Sequence, residues 1–387
     1  MTRPLCVMLV AAEASGDDRG ARLARALKRR LGEGVRFVGT GGAELAAEGL
    51  ESPFDIAELS IAGVFEGLLA YGRVMRRVID TAAVAVRERP DVAVLIDSWG
   101  FTIRVAAALR KRAPGLPLVK YVGPQVWAWR AGRARTLARA VDHLLSINAI
   151  DPPFFERAGL PTTFVGDATL ALDFAEADGE RLRREIAAAD GDILLVLPGS
   201  RPGEIRRVLP PFEAAVRRLL ADRPNLHVVV AAAPTVAETV KALVSAWPDR
   251  SHVVEGADRK LDAMKAATVA LACSGTVTTE VALAGCPMVV GYRLGPMTHA
   301  VLKRLVRTPY ISLVNIAAGR MVAPERVQGD CTGEVLAADI AALLDDPEAR
   351  GRQVAAQDAA LVKMGRCGPD PSEAAADAVL EIVAKRG

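Results

Sequence analysis

Two turns in the second half of the chain have the residue types to hold phosphate. Pro198-Gly199-Ser200-Arg201 closes the apolar run Ile193–Leu197, and Cys273-Ser274-Gly275-Thr276 closes Val269–Ala272. A short apolar run that breaks at glycine and enters a helical pattern reads as strand, sharp turn and helix. Backbone N–H groups at a helix start have no acceptor within the helix, so such a turn attracts an anion. Gly199 lets the backbone approach a ligand closely, Ser200 is placed to cap the helix, and the fork of Arg201 matches phosphate oxygens. In the second turn the hydroxyls of Ser274 and Thr276, with the Gly275 amide, suit a diphosphate. Glu280, one turn into the next helix, suits a pair of ribose hydroxyls. Alone, the first turn reads equally well as a strand-to-helix corner with a surface arginine. Two such turns together point to a nucleotide diphosphate across the carboxyl edge of a parallel sheet.

The first half carries carboxylates at corresponding places. Ala12-Glu13-Ala14-Ser15-Gly16-Asp17 follows the run Leu5–Val10, so Glu13 and Asp17 stand at a strand's carboxyl end, where open sheets bind ligands. Ser15 or Asp17 serves equally as a cap for a helix beginning near Arg19. Asp97 ends Val92–Ile96, where it suits a general base for a hydroxyl nucleophile, or an N-cap. Trp127-Ala128-Trp129-Arg130 precedes Arg133, Arg135 and Arg139, with no acidic residue from Gly123 to Val141. Aromatics followed by a basic helix fit a membrane interface or a phosphorylated lipid, or else a Trp-packed corner with a solvated basic face. The segment Leu59–Tyr71 is apolar on more than one face, which suits either an acyl groove or plain burial.

These residues need a scaffold of alternating strands and helices. Short apolar runs predict strands at Leu5–Val10, Arg36–Val38, Val92–Ile96, Leu118–Tyr121, His143–Ser146 and Thr163–Val165. A second series follows at Ile193–Leu197, His227–Ala231, His252–Val254, Val269–Ala272 and Met288–Gly291. Amphipathic stretches such as Gly20–Arg30, Val74–Arg87 and Thr102–Lys111 lie between them, the signature of βαβ units. The expected fold class is α/β, with two Rossmann-like doubly wound domains facing a central cleft. The first domain spans 1–170, a linker 171–192, the second domain 193–345, and C-terminal helices 346–387 pack back on an N-terminal domain. Asp370-Pro371 opens a tail helix to Lys385 as cap and first helical residue.

Composition narrows the function. The chain has 387 residues and a net charge of +3, too small for a nucleic-acid binder. Residues 1–170 carry a net +5 and the remainder a net −2, so any lean toward anionic partners lies in the first half. Five scattered cysteines without CxxC spacing and four unclustered histidines argue against zinc or a disulfide framework, and fit a reducing cytoplasm. The N-terminal apolar run meets Glu13 after eight residues, too short for a signal peptide or a span, so membrane contact is expected to be peripheral.

Taken together, the segments resemble the lipid-A-disaccharide synthases, inverting glycosyltransferases of family 19 with the GT-B fold. The resemblance runs nearly end to end. It rests on Glu13-Ala14-Ser15-Gly16-Asp17, Gly41-Gly42, Leu59-Ser60 with Gly63 and Glu66, Asp97, Val126-Trp127-Ala128-Trp129-Arg130, Pro198-Gly199-Ser200-Arg201, and Ser274-Gly275-Thr276 with Glu280. Tyr310–Asn315, Gly319-Arg320 and Pro324-Glu325 complete it. Four first-half segments depart from the family pattern: Gly100 with Thr102, Gly123-Pro124-Gln125, Asn148-Ala149-Ile150-Asp151, and Asp167-Ala168 where a His-Pro is usual.

The resemblance implies transfer of 2,3-diacylglucosamine from UDP-2,3-diacylglucosamine to 2,3-diacylglucosamine 1-phosphate with inversion, giving a β-1,6 disaccharide phosphate and UDP. It assigns UDP to Gly199, Ser200, Arg201, Ser274, Gly275, Thr276, Glu280, Asn315, Gly319 and Arg320. The acceptor and its lipid fall to Ser15, Asp17, Trp127, Trp129 and Arg130, and catalysis to Asp97, with Glu13 second, and Arg201. No cofactor and no metal are expected, since no DxD-like pair follows a strand. The expected setting is the inner leaflet of a Gram-negative bacterium, in the lipopolysaccharide pathway, and a homodimer is an open expectation. Two other readings share the fold: a UDP-sugar 2-epimerase, and a catalytically inactive protein that binds UDP-sugar or lipid.

Overall fold

The structure, a computed structural model, describes residues 3–59, 64–127, 131–188, 190–295 and 308–385, with backbone alone at 64–70. It divides into two compact units, Met1–Ala168 with Cys367–Gly387, and Thr169–Arg366.

The first unit is built on β1 (Leu5–Val10), β2 (Val35–Thr40), β3 (Val92–Ile96), β4 (Leu118–Tyr121), β5 (His143–Ser146) and β6 (Thr162–Phe164). All neighbours pair in parallel, in the order β2-β1-β3-β4-β5-β6. Each residue of β3 is fully buried, as a strand covered by helices on both faces must be. The expected helices run longer: Ala14–Leu31, Val64–Glu88 and Trp99–Arg112. The first begins six residues before the amphipathic pattern does. Gly16 and Gly20, poor helix formers, let the helix lie against the sheet: a Cβ on Gly20 would stand 2.9 Å from Ile96 Cδ1.

The second unit repeats the plan with β7 (Asp192–Leu197), β8 (Leu226–Ala232), β9 (Ser251–Glu255), β10 (Val269–Cys273), β11 (Met288–Tyr292) and β12 (Glu325–Val327), in the order β12-β11-β10-β7-β8-β9. The strand β12 was not expected, because Glu-Arg-Val lacks an apolar run; it sits at the sheet edge, where a single neighbour is enough. The stretch read as a linker with a helix, 171–192, carries the helix Gly179–Glu185, whose Leu182 is fully buried in the core of this unit.

The helices Gly333–Asp345 and Pro347–Met364 belong to the second unit, while Pro371–Ala384 belongs to the first. Asp370 caps the latter by accepting from the amides of Ser372 (2.8 Å) and Glu373 (3.0 Å). Ala375, Ala376 and Val379 enter the first unit's core. Glu373 pairs with Arg29 and Arg30 of the first helix, and Asp377 with Arg30.

Candidate functional site

Strand order decides where ligands can enter. In the second unit the chain starts at β7, moves outward through β8 to β9, and returns to the other side of β7 as β10. The connections after β7 and β10 therefore leave in opposite directions and open a crevice beyond their carboxyl ends. The Gly199 turn follows β7 and the Ser274 turn follows β10. A cavity of about 440 Å³ lies there, lined by Gly199, Ser200, Arg201, Ser274, Gly275, Thr276 and Glu280. All seven residues assigned to UDP from these two turns thus meet in one place.

Local geometry explains their types. Gly199 has φ 107°, a left-handed conformation that disfavours a side chain. Ser200 does not cap the helix Pro202–Asp222. Arg201 holds the N-cap position, and the Glu204 carboxylate, one turn on, accepts from the Ser200 amide (3.3 Å) and pairs with Arg201 (3.1 Å). Arg201 keeps a side chain 80% exposed, free to turn toward an arriving anion. Ser274 donates its hydroxyl to the Ile311 carbonyl (3.1 Å), which leaves the backbone amides and the Thr276 hydroxyl as the donors of that turn.

Glu280 meets Lys260 of the helix Ala257–Ala266 at 2.6 Å, and both line the cavity. The sequence reading missed Lys260, because nothing local separates it from the surface charges around it. Glu204 was missed for the same reason.

Asn315 is not among the residues lining that cavity. It is fully buried, donates to the Ala323 carbonyl (2.8 Å) and to Glu325 (2.7 Å), and accepts from the amides of Val322 (2.7 Å) and Ala323 (2.9 Å). Every polar group of its amide is engaged within the protein, and those bonds shape the loop. Glu325 anchors the same loop, accepting also from Ser312 and Ile311. Gly319 takes φ 70° and closes the helix Leu313–Ala318, and Arg320 beside it is exposed.

The first unit has its own switch point, between β1 and β3. Glu13 follows β1 and Asp97 follows β3, on adjacent strands. Asp97 and Ser98 both have positive φ, 47° and 35°, which is costly for two consecutive non-glycine residues and sets the direction of the Asp97 side chain. That carboxylate is 38% exposed; one oxygen accepts from the Ser98 amide (2.9 Å) and the other lies 3.8 Å from Arg19. Arg19 also stands 3.9 Å from Asp167, so one guanidinium spans two carboxylates, with its Nε buried and unpaired. Arg19 was missed by the sequence reading, and it gives the departure at Asp167 a partner. Asp97 does not cap the helix Trp99–Arg112 with its side chain.

Two residues assigned to the acceptor have partners within the fold. Asp17 is buried; its carboxylate accepts from the amides of Gly42 (2.7 Å), Glu44 (2.9 Å) and Leu45 (3.3 Å), which start the helix Ala43–Ala47. It is a cap, but for a different helix from the one expected. Trp127 is 7% exposed and donates its indole N–H to the fully buried Asp151 at 2.8 Å. The packed-corner reading therefore holds for Trp127, and the departure at 148–151 supplies its partner. Trp129, Arg130, Ser60 and Gly63 lie outside the described residues. Glu13 and Ser15 are exposed.

Burial shapes the charges here. It pushes the Asp151 carboxyl up to about 6, against hydrogen bonds from Ser146, Asn148 and Trp127. It brings the ammonium of Lys120, on β4, down to about 7.

The family model described as lipid-A-disaccharide synthetase matches residues 7–377. The lipid-A-disaccharide synthase of Rhodospirillum centenum is 42% identical over 385 residues, covering 99% of this chain and 96% of that protein. That of Paramagnetospirillum magneticum is 42% identical over 382 residues, covering 98% of each. The solved UDP-GlcNAc 2-epimerase of Neisseria meningitidis, bound to UDP-GlcNAc, superposes with a TM-score of 0.64 over 98% of this chain and 100% of its own. At 12% identity that likeness speaks to fold alone. With the fold class α/β of GT-B type and a family match over nearly its whole length, the chain belongs to the lipid-A-disaccharide synthetase family.

Proposed function

We propose that this chain joins two acylated glucosamines, moving 2,3-diacylglucosamine from UDP to the 6-hydroxyl of 2,3-diacylglucosamine 1-phosphate with inversion and release of UDP. The observation that carries this reading is the single cavity that gathers the Gly199 turn, the Ser274 turn and Glu280 in a member of this family. In it, amides of Ser200, Gly275 and Thr276 and the guanidinium of Arg201 receive the diphosphate, displacing Glu204 from Ser200. As the glycosidic bond breaks, charge grows on the diphosphate, and donors already aimed at it offset that charge. Glu280, oriented by Lys260, takes the ribose hydroxyls.

In the first unit Asp97 accepts the proton of the acceptor's 6-hydroxyl as that oxygen attacks the anomeric carbon on the face opposite UDP. Arg19 stands 3.8 Å from that carboxylate. Glu13 is the second carboxylate of the site. The reading requires no metal, because Arg201 and the amides supply the positive end. The epimerase reading rests on the shared fold, which does not specify a reaction.

The test is a mass-spectrometric assay of the pure protein with both lipid substrates and with EDTA. A disaccharide phosphate with stoichiometric UDP is expected, and Asp97→Asn should lower turnover by roughly 10²–10⁴-fold, the range for a general base. No disaccharide despite UDP binding would sink the reading. Near-normal turnover of an intact Asp97→Asn would remove Asp97 from the base role.

A further inference from the structure

Lys120 is the penultimate residue of β4 and only 2% exposed. Its side chain runs beneath the helices Trp99–Arg112 and Gly132–Ala140, among Trp99, Ile103, Leu137 and Val141. A buried lysine ordinarily ends on a carboxylate. This amino group instead donates to the backbone carbonyl of Asp97 and to Thr102 Oγ1 (2.9 Å), while the Thr102 hydroxyl reaches the same carbonyl at 2.8 Å. Two donors from separate elements thus converge on the carbonyl of a residue at φ 47°. Neither belongs to the segments that carried the family resemblance; Thr102 stands at one of the departures.

We propose that Lys120 is a positioning residue for the candidate base: with Thr102 it pins the strained Asp97–Ser98 turn, so that the Asp97 carboxylate is held toward the acceptor hydroxyl although Lys120 touches no substrate. The proposal rests on the reading of Asp97 as the base. Left to itself, an aspartate-serine pair relaxes out of two successive left-handed conformations, which the one local bond from the Ser98 amide to the Asp97 carboxylate (2.9 Å) does not by itself offset. Lys120 and Thr102 supply the local energy that prevents it.

The charge of Lys120 adds a second consequence. The charged groups acting on it are Asp97 after β3, Glu13 after β1, and Arg19 on the first helix; the helices packed over its stem present apolar residues. Burial is the main cause of its lowered proton affinity, with Asp97 and Glu13 pulling the other way and Arg19 adding to the burial. Below neutral pH the Lys120 ammonium makes charge-assisted hydrogen bonds to the Asp97 carbonyl and to Thr102. Above it, the neutral amine still donates to the carbonyl, but more weakly. The rate therefore carries a modest fall through neutral pH that belongs to Lys120.

The experiment compares Lys120→Met, Thr102→Val and Thr102→Ser with the parent protein in kcat, acceptor KM, UDP affinity and the pH profile of kcat. Lys120→Met and Thr102→Val should lose roughly 10–100-fold in kcat, the scale of a small misplacement of a reacting group. Acceptor KM and UDP affinity should stay within about threefold. Thr102→Ser, which keeps the hydroxyl, should restore kcat, and the fall through neutral pH should vanish in Lys120→Met alone. Should Lys120→Met not fold, the Thr102 pair still decides, because Val and Ser differ there chiefly in the hydroxyl. Parent-like kcat and pH profile in Lys120→Met, or equal kcat in the two Thr102 variants, would overturn the proposal while Asp97→Asn remained inactive. Near-normal turnover of Asp97→Asn would instead overturn the base reading and the proposal with it.

Discussion

At the scale of single residues, the same side-chain type performs opposite tasks according to its surroundings. Asp97 is half-exposed at a strand end and available to a substrate, whereas Asp17, 80 residues earlier, spends its carboxylate on three amides. Asp151 is a third case, buried beneath Trp127 and raised to about 6. Because its folded-state value is raised, folding is favoured by this group at pH below the unfolded value. That contribution is lost as pH climbs through about 6. Asp151→Asn keeps an acceptor for the Trp127 indole and cannot titrate. Thermal melts of the two proteins between pH 4 and 7 should therefore diverge, with the parent losing stability relative to the variant as pH rises. Parallel curves would mean that Asp151 is not held in this state.

Turns and helix starts are the elements that make the proposed nucleotide site. The Gly199 turn needs a left-handed residue, and a Cβ there would stand 2.8 Å from Glu204 Oε2. Gly199→Ala should cost about 1–3 kcal/mol of local strain, felt most when the turn must present its amides to a diphosphate. Titration calorimetry with UDP should show affinity weakened by roughly tenfold or more, which corresponds to about 1.4 kcal/mol. An unchanged UDP affinity would show that the turn does not hold the diphosphate. The glycines of the Gly41-Gly42 turn answer a different need: a Cβ on Gly42 would stand 2.7 Å from Asp17 Oδ2, so its smallness admits the cap.

Over the whole molecule, the chain builds two six-stranded parallel sheets and returns its last helix to the first unit. Ending the chain at Arg366 would strip Ala375, Ala376 and Val379 from the first unit's core and leave Arg29 and Arg30 without Glu373. Losing those contacts should cost several kcal/mol of a domain's total of about 5–15 kcal/mol. Calorimetric unfolding should then show a lowered transition, while UDP still binds the second unit. Equal melting of the truncated and full chains would contradict the packing described. Among the described residues no helix is long and apolar enough to cross a membrane. Arg135 and Arg139 of the helix Gly132–Ala140 are exposed, and the expectation of a peripheral association with anionic lipid can be tested there. Flotation with anionic vesicles should capture the protein at low salt and release it as ionic strength rises. Capture that is absent, or indifferent to salt, would count against that association.

What the sequence determined by itself was the order of elements and the identity of the loops. Eleven of the twelve strands announce themselves as short apolar runs; for those inside the sheets, burial on both faces admits little else. The exception is β12, an edge strand with one neighbour and no such requirement. The phosphate turns were legible for the same reason: glycine, hydroxyl and arginine directly after a buried strand leave few local alternatives. Tertiary structure alone decided which side chains are spent inside the fold. Asn315, Asp17 and Trp127 each have a polar group suited to a ligand, but their partners lie at Ala323, Gly42 and Asp151, elements that only folding brings beside them. Lys120, Arg19 and Lys260 were invisible for the converse reason. An isolated cation in a sequence looks like solvated surface until strand order sets it next to Asp97, Asp167 or Glu280.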